Sequence, residues 1–206
     1  MSRPDCALVA AAALLAAACG GPRVVVPVDS LTADEHVRLG ATYERDARTD
    51  LATRSYEAAL RRERDHAGAH LGLGNLAAAR GDLAEAERGY RAALAADPSQ
   101  PDAMNNLAWV HLQRGERLKE AVTLARQALE TAPARAAYYA DTLGLALTRT
   151  GRPGEGLGAL RQALAAASAD DHALRAEILA HLAETYRALG RSADARAAEA
   201  EAAALR

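Results

Sequence analysis

The chain is 206 residues long, half of them apolar, and its net charge is −2 with acidic and basic side chains interspersed. That balance excludes the basic stripe needed to hold a nucleic-acid backbone. With no Phe and one Trp, the core must be built mostly from Ala and Leu, which bury little area each and demand close approach of the elements. Ala, Leu, Arg and Glu also favour helix, and the body of the chain has no Val/Ile-rich alternating stretch, so helices are expected and sheet is not.

The N-terminus reads Met1-Ser2-Arg3-Pro4-Asp5, then an apolar run from Cys6 to Ala18, then Cys19-Gly20-Gly21. Thirteen residues cannot span a bilayer, which takes ~20. The run has the length of a signal-peptide apolar region. Leu14-Leu15-Ala16-Ala17-Ala18-Cys19 resembles the lipobox of bacterial lipoproteins, in which the cysteine is lipidated and becomes the mature N-terminus. The departures are Ala16, where Leu is commonest, and Asp5, which weakens the positive leader. Read without lipidation, the same segment is an ordinary secretory signal cleaved after one of its alanines. The resemblance implies a signal peptide over 1–18 and a lipid anchor at Cys19, on the outer membrane facing the periplasm, because Gly20 stands where inner-membrane retention commonly shows Asp. Cysteine usage fits: once Cys6 leaves with the leader, Cys19 is the only thiol and no intramolecular disulfide can form.

Residues 19–32 then read as the lipidated cysteine and an extended tether, with Pro22 and Pro27 bracketing Arg23-Val24-Val25-Val26. Eleven residues at up to ~3.3 Å each reach ~35 Å. Val24 to Val28 have the alternative of packing against the first helices.

Thr32-Ala33-Asp34-Glu35 has the spacing of a capping box and opens the first helix. From there the chain repeats itself at 34 residues: Leu39-Gly40-x-x-Tyr43 returns as Leu73-Gly74-x-x-Ala77, and Ser55-Tyr56-Glu57-Ala58-Ala59-Leu60 as Gly89-Tyr90-Arg91-Ala92-Ala93-Leu94. A fixed period of this length in helix-forming residues means a solenoid of helical hairpins. Five units follow, 33–66, 67–100, 101–136, 137–175 and 176–206. Their first helices carry Leu39, Leu73, Leu107, Leu143 and Leu182, each followed by Gly or Ala. Their second helices carry Ala52, Ala86, Ala121, Gly156 and Ala195, with Tyr56, Tyr90, Ala125, Leu160 and Glu199 four later. Gly81, Gly115, Gly151 and Gly190 mark the turns within units, whereas unit one has Ala47 there. Pro98 and Pro133 end second helices. Glu199 makes the final helix polar, as a solenoid end facing water requires.

These positions resemble the tetratricopeptide repeat, across essentially the whole chain after the tether. The resemblance implies an all-α, right-handed solenoid whose first helices line a concave face that binds an extended peptide or helix of a protein partner. Carried onto this chain, the groove positions are Asn75, Asn105, Trp109, Tyr138, Asp141, Arg149, Glu184 and Arg187. The asparagines offer amides to a peptide backbone and the aromatics offer area for binding energy. The alternative is that Trp109 fills a gap between repeats and the asparagines are solvated. Grooves of this family that clamp a C-terminal carboxylate use paired Lys and Arg; the only lysine is Lys119, so that pattern is absent.

His66 and His70 beside Asp65 have a metal-like spacing, but they fall in a connection where Gly68 weakens the helix, and no metal or cofactor is expected. Gly72-x-Gly74 and Gly154-x-Gly156-x-Gly158 follow no strand and are not phosphate loops. No nucleophile–base arrangement is present, so the reading is not an enzyme. It is a lipid-anchored adaptor or scaffold, resembling in architecture the lipoproteins that assist pilus or secretion-complex assembly. The alternative is an accessory subunit that binds cell-wall glycan or a peptidoglycan-remodelling enzyme.

Overall fold

The structure, a computed structural model, describes residues 29–206. The predicted signal peptide, Cys19 and the tether as far as residue 28 lie outside the described residues. Among those described there are ten α-helices and no strand: α1 (Ala33–Arg45), α2 (Thr49–Arg62), α3 (Ala67–Ala79), α4 (Leu83–Ala96), α5 (Pro101–Arg114), α6 (Leu118–Thr131), α7 (Ala136–Arg149), α8 (Pro153–Ala166), α9 (His172–Ala188) and α10 (Ser192–Ala204). No described helix is long and apolar enough to cross a membrane. They form five hairpins in tandem, an all-α solenoid.

Local chemistry sets the ends of the helices. The Thr32 hydroxyl accepts the Glu35 N–H at 3.2 Å while the Glu35 carboxylate accepts the Thr32 N–H at 2.8 Å, which is the expected capping box. Asp82 and Asp171 cap α4 and α9 through their carboxylates, and Pro101 and Pro153 start α5 and α8 where a missing N–H costs nothing. Each hairpin turn has one residue in the left-handed region: Gly81, Gly115, Gly151 and Gly190, and Ala47 at φ 56° in unit one. In all five turns a backbone N–H bonds back across the turn, from Arg48 to Tyr43 O at 2.8 Å in the first and from Arg191 to Tyr186 O at 2.8 Å in the last. Ala47 therefore makes a glycine's turn and bears a cost of about 1–2 kcal/mol for its Cβ. In unit three two residues rather than one separate the turn glycine from the next helix, and the second of them, Arg117, is also left-handed.

Within hairpins two and four the two helices approach until backbone meets backbone. A Cβ on Gly89 of α4 would lie 2.8 Å from the Gly74 Cα of α3, and one on Gly156 of α8 would lie 2.6 Å from the Gly144 carbonyl oxygen of α7. The tyrosines use the space that other glycines leave. Gly40 and Gly72, from two successive hairpins, both lie against the Tyr56 ring, and Gly74 lies against Tyr90. Each hydroxyl finds an acceptor, Tyr56 on Glu44 at 2.7 Å and Tyr90 on Asn75 at 3.1 Å. Burial pushes the Tyr90 phenol up to about 12. In the later units Leu160 fills the corresponding place, fully buried, while Glu199 of α10 stays outside and pairs with Arg187.

The apolar clusters straddle neighbours. Tyr56 and Leu76 share one across units one and two, Tyr90 and Val110 one across units two and three, and Leu160 and Ile178 one across units four and five. Tyr139 packs with Met104 and Ala128, its hydroxyl 2.7 Å from Asp102. Odd-numbered helices approach the next odd-numbered helix backbone to backbone, whereas successive even-numbered helices meet only through side chains, as Arg91 of α4 does with Glu120 of α6 at 3.3 Å. The first helices are thus one continuous inner layer.

Two boundaries differ from the periodic reading. The fifth hairpin opens at His172, ahead of residue 176, because Asp171 caps α9 there by accepting the Leu174 N–H at 3.1 Å. The fourth hairpin opens at Ala136, one residue ahead of 137.

The glycines of α8 separate by what they touch. Gly156→Ala is expected to destabilise the protein by about 1–3 kcal/mol, since backbone would have to move. Gly158→Ala, with nothing within 4 Å of the added carbon, is expected to stabilise it by about 0.5–1 kcal/mol. Urea unfolding of both variants reads the difference.

Candidate functional site

Three first helices converge on a cleft of ≈ 230 Å³ in the inner layer. From α5 come Asn105, Asn106 and Trp109; from α7, Tyr138, Asp141 and Thr142; from α9, Leu174 and Glu177. Concavities of ≈ 540 and ≈ 350 Å³ lie at Arg38–Arg45 and Ala47–Leu51, each lined by a single helix or turn, and one of ≈ 260 Å³ lies among α8, α9 and α10; none of these brings together first helices of three hairpins.

The cleft's α5 wall is an amide ladder. Asn105 Nδ2 donates to Asn106 Oδ1 at 3.4 Å, and Asn106 Nδ2 donates to Asn75 Oδ1 at 3.0 Å, the same oxygen that receives Tyr90. The ladder ends on Asn105 Oδ1, which is buried without a hydrogen-bond partner. An orphaned carbonyl of this kind costs about 1–3 kcal/mol. Trp109 is half-buried: it packs on the cluster holding Tyr90 and Val110 and also faces the cleft, so it fills a gap between repeats and offers area at once. Tyr138 is the exposed large hydrophobic among the described residues, 43 % accessible, with the Arg135 guanidinium 5.3 Å from its ring centre.

The floor is ionic. Asp141 is buried, and both its oxygens lie against His181 Nδ1 of α9, at 2.8 and 3.0 Å. Burial opposes a charge on His181. The hydrogen bond and charge of Asp141, with Glu177 and Glu184 behind, outweigh that cost and lift its pKa above the ordinary histidine value. Next to this pair, Arg149 holds both oxygens of Glu184 at 2.9 and 3.1 Å and donates to the Leu112 carbonyl at 3.1 Å, tying α5, α7 and α9 together. That fork keeps the Glu184 carboxyl below the usual carboxylate range.

Of the eight residues predicted to line the groove, Asn105, Trp109, Tyr138 and Asp141 surround this cleft. Asn75 is partly buried and its carbonyl is committed to Tyr90 and Asn106, so only its amino group remains for a ligand. Arg149 and Glu184 are committed to each other, and Arg187 pairs with Glu199 of α10, away from the cleft. Asn106, Thr142, Glu177 and His181 join the site without having been singled out in the sequence. The signal for Glu177 and His181 was their one-turn spacing on a first helix.

His66 and His70 are occupied structurally. His66 Nδ1 accepts the Ala69 N–H at 3.4 Å while Nε2 meets Asp34 at 2.9 Å, and His70 Nε2 lies 3.0 Å from the Arg64 carbonyl.

Residues 37–101 and 84–136 match the tetratricopeptide repeat family. No curated protein matches the sequence. Among solved structures, PilF of Pseudomonas aeruginosa is 20 % identical, with 84 % of this chain and 76 % of that one covered and a TM-score of 0.68. A thermophilic tetratricopeptide-repeat protein of Thermus thermophilus is 24 % identical, covering 84 % and 91 %, with a TM-score of 0.63. YrrB, a tetratricopeptide-repeat protein with an unusual peptide-binding site, is 19 % identical, covering 84 % and 86 %, with a TM-score of 0.64. At these identities the likeness is one of fold.

Because His181 binds its proton more tightly when folded, its contribution is complete below about pH 6.5 and is lost as pH rises through the raised pKa. In metal-free buffer, the stability gap between the parent and His181→Gln is therefore expected to be widest in mild acid and to shrink with increasing pH. Urea melts at stepped pH read it.

Proposed function

This chain is a tetratricopeptide-repeat protein, and we propose that it serves as an envelope adaptor whose inner layer seats an extended segment of a protein partner. The observation that carries this reading is the cleft between α5, α7 and α9, where Asn105 and Trp109 of one repeat and Tyr138 of the next line one space. Asparagine amides suit a peptide backbone, and the aromatics supply area where binding energy concentrates. Arg149, the amide ladder and the Asp141–His181 pair already fix the three helices, so the ordering cost falls mostly on the partner. YrrB's peptide-binding site supports the same use of the fold here.

The anchor in this reading is Cys19, lipidated after removal of residues 1–18, and residues 19–32 let the repeats work a short distance from the membrane. Two or three acyl chains give firm attachment where one would not. Assembly of an envelope machine such as a pilus or secretion complex is the setting these features suit. Stacking of sugar rings on Trp109 and Tyr138 is the competing use of the cleft.

In-cell crosslinking of the full chain is expected to capture one dominant envelope protein, and Trp109→Ala with Tyr138→Ala to weaken that capture ~10-fold or more. Loss of muropeptide binding in the same variant, with protein capture unchanged, would assign the cleft to glycan. Cys19→Ser is expected to move the protein from the membrane to the soluble envelope fraction; unchanged fractionation would remove the lipid anchor from this reading.

A further inference from the structure

The floor of the cleft gathers three donors from two helices. Glu177 and His181 stand four residues apart and so share one face of α9, and Asp141 reaches them from α7. One ligand atom from each lies within 4.8 Å of the other two. Two carboxylates with a single imidazole leave an excess of negative charge at this point. The Arg149 guanidinium, also on α7, does not offset it, because its fork is closed on Glu184.

We propose that Asp141, Glu177 and His181 form a site for one divalent transition-metal ion of zinc's class. A donor set of one nitrogen and two carboxylate oxygens, with no thiolate, suits such a borderline cation. Metal–ligand bonds of about 2.0–2.2 Å in a tetrahedron put neighbouring donors roughly 3.4 Å apart. Asp141 and His181 already lie 2.8 Å apart, held by burial and by their own contact. Glu177 is exposed, so closing the site needs its rotamer to change, while the ion replaces the proton shared by Asp141 and His181 and spreads those two donors by about half an ångström.

Three protein ligands leave a fourth position, and the cleft lined by Asp141 and Glu177 opens onto it. Water would fill it in the free protein, and a donor atom of a bound partner would replace that water, as at metal sites that keep an open position. The cation would then sit where the α5 amide ladder and the aromatics converge. The site holds whether the partner is a protein or a glycan, since it needs neither to bind the ion.

The test is calorimetric titration of Zn²⁺ into the full chain after removal of metal by EDTA, with Co²⁺ absorbance as the probe of geometry. One equivalent should bind, raise the melting temperature, and give the Co²⁺ spectrum of a four-coordinate site without a thiolate charge-transfer band. Glu177→Gln should weaken binding ~10-fold or more, read against that variant's own metal-free melting curve and circular dichroism, which report whether its fold is intact. His181→Gln removes a buried partner and is compared only where its circular dichroism matches the parent. Absence of Zn²⁺ binding overturns the proposal. So does binding that Glu177→Gln leaves intact, since Cys6, Cys19 and the surface carboxylates remain in that variant.

Discussion

The whole stack depends on side chains that are missing. Where the two helices of a hairpin cross, Gly74 faces Gly89 and Gly144 faces Gly156, and the space a Cβ would take is occupied by the opposite backbone. A core of alanine and leucine buries little surface per residue, so it gains cohesion from dense contact instead. The aromatic rings that the chain does have are spent on the same principle: Tyr56 lies over two glycines and Tyr90 over one. Their hydroxyls then reach Glu44 and Asn75, which turns a packing contact into an oriented one.

From that spacing follows a division of labour between layers. The second helices close each hairpin and seal the clusters between neighbours, while the first helices stack on one another and carry the polar chemistry. Polar links run along this inner layer for its length: Asp34 to His66, Asn75 to Asn106, Asp102 to Arg135 and Tyr139, Asp141 to His181, and Arg149 to Glu184. Each joins first helices of adjacent units or the segment leading into one. The inner face is therefore cross-braced, and what it leaves unsatisfied, such as Asn105 Oδ1, is conspicuous against that background.

The architecture was readable because it is periodic and local. Gly81, Gly151 and Gly190 recur where a left-handed residue is needed, and Thr32 with Glu35 is a contiguous signal. Even the exception was visible, since Ala47 stands in the glycine's place and adopts its conformation. The site was half readable. Repeat register put Asn105, Trp109, Tyr138 and Asp141 on the inner face, but register gives direction and not partner. Arg187 turned to Glu199, and Arg149 and Glu184 turned to each other, through contacts that no period predicts. His181 was missed for the same reason: its meaning comes from Asp141, 40 residues earlier, and nothing in either local stretch announces the pairing.

The sparse contact between successive second helices, made by side chains such as Arg91 and Glu120, has a mechanical consequence. Those helices are held mainly through their first-helix neighbours, so bending the stack about its braced inner layer changes the gaps on the outer side at the expense of few contacts between outer helices. Compliance is therefore anisotropic: the inner layer resists extension, and the outer layer resists little. A load applied along residues 31–206 would be borne by the ladder of first-helix links and their clusters, and a partner seated across α5, α7 and α9 would stiffen the part of the spring that carries it.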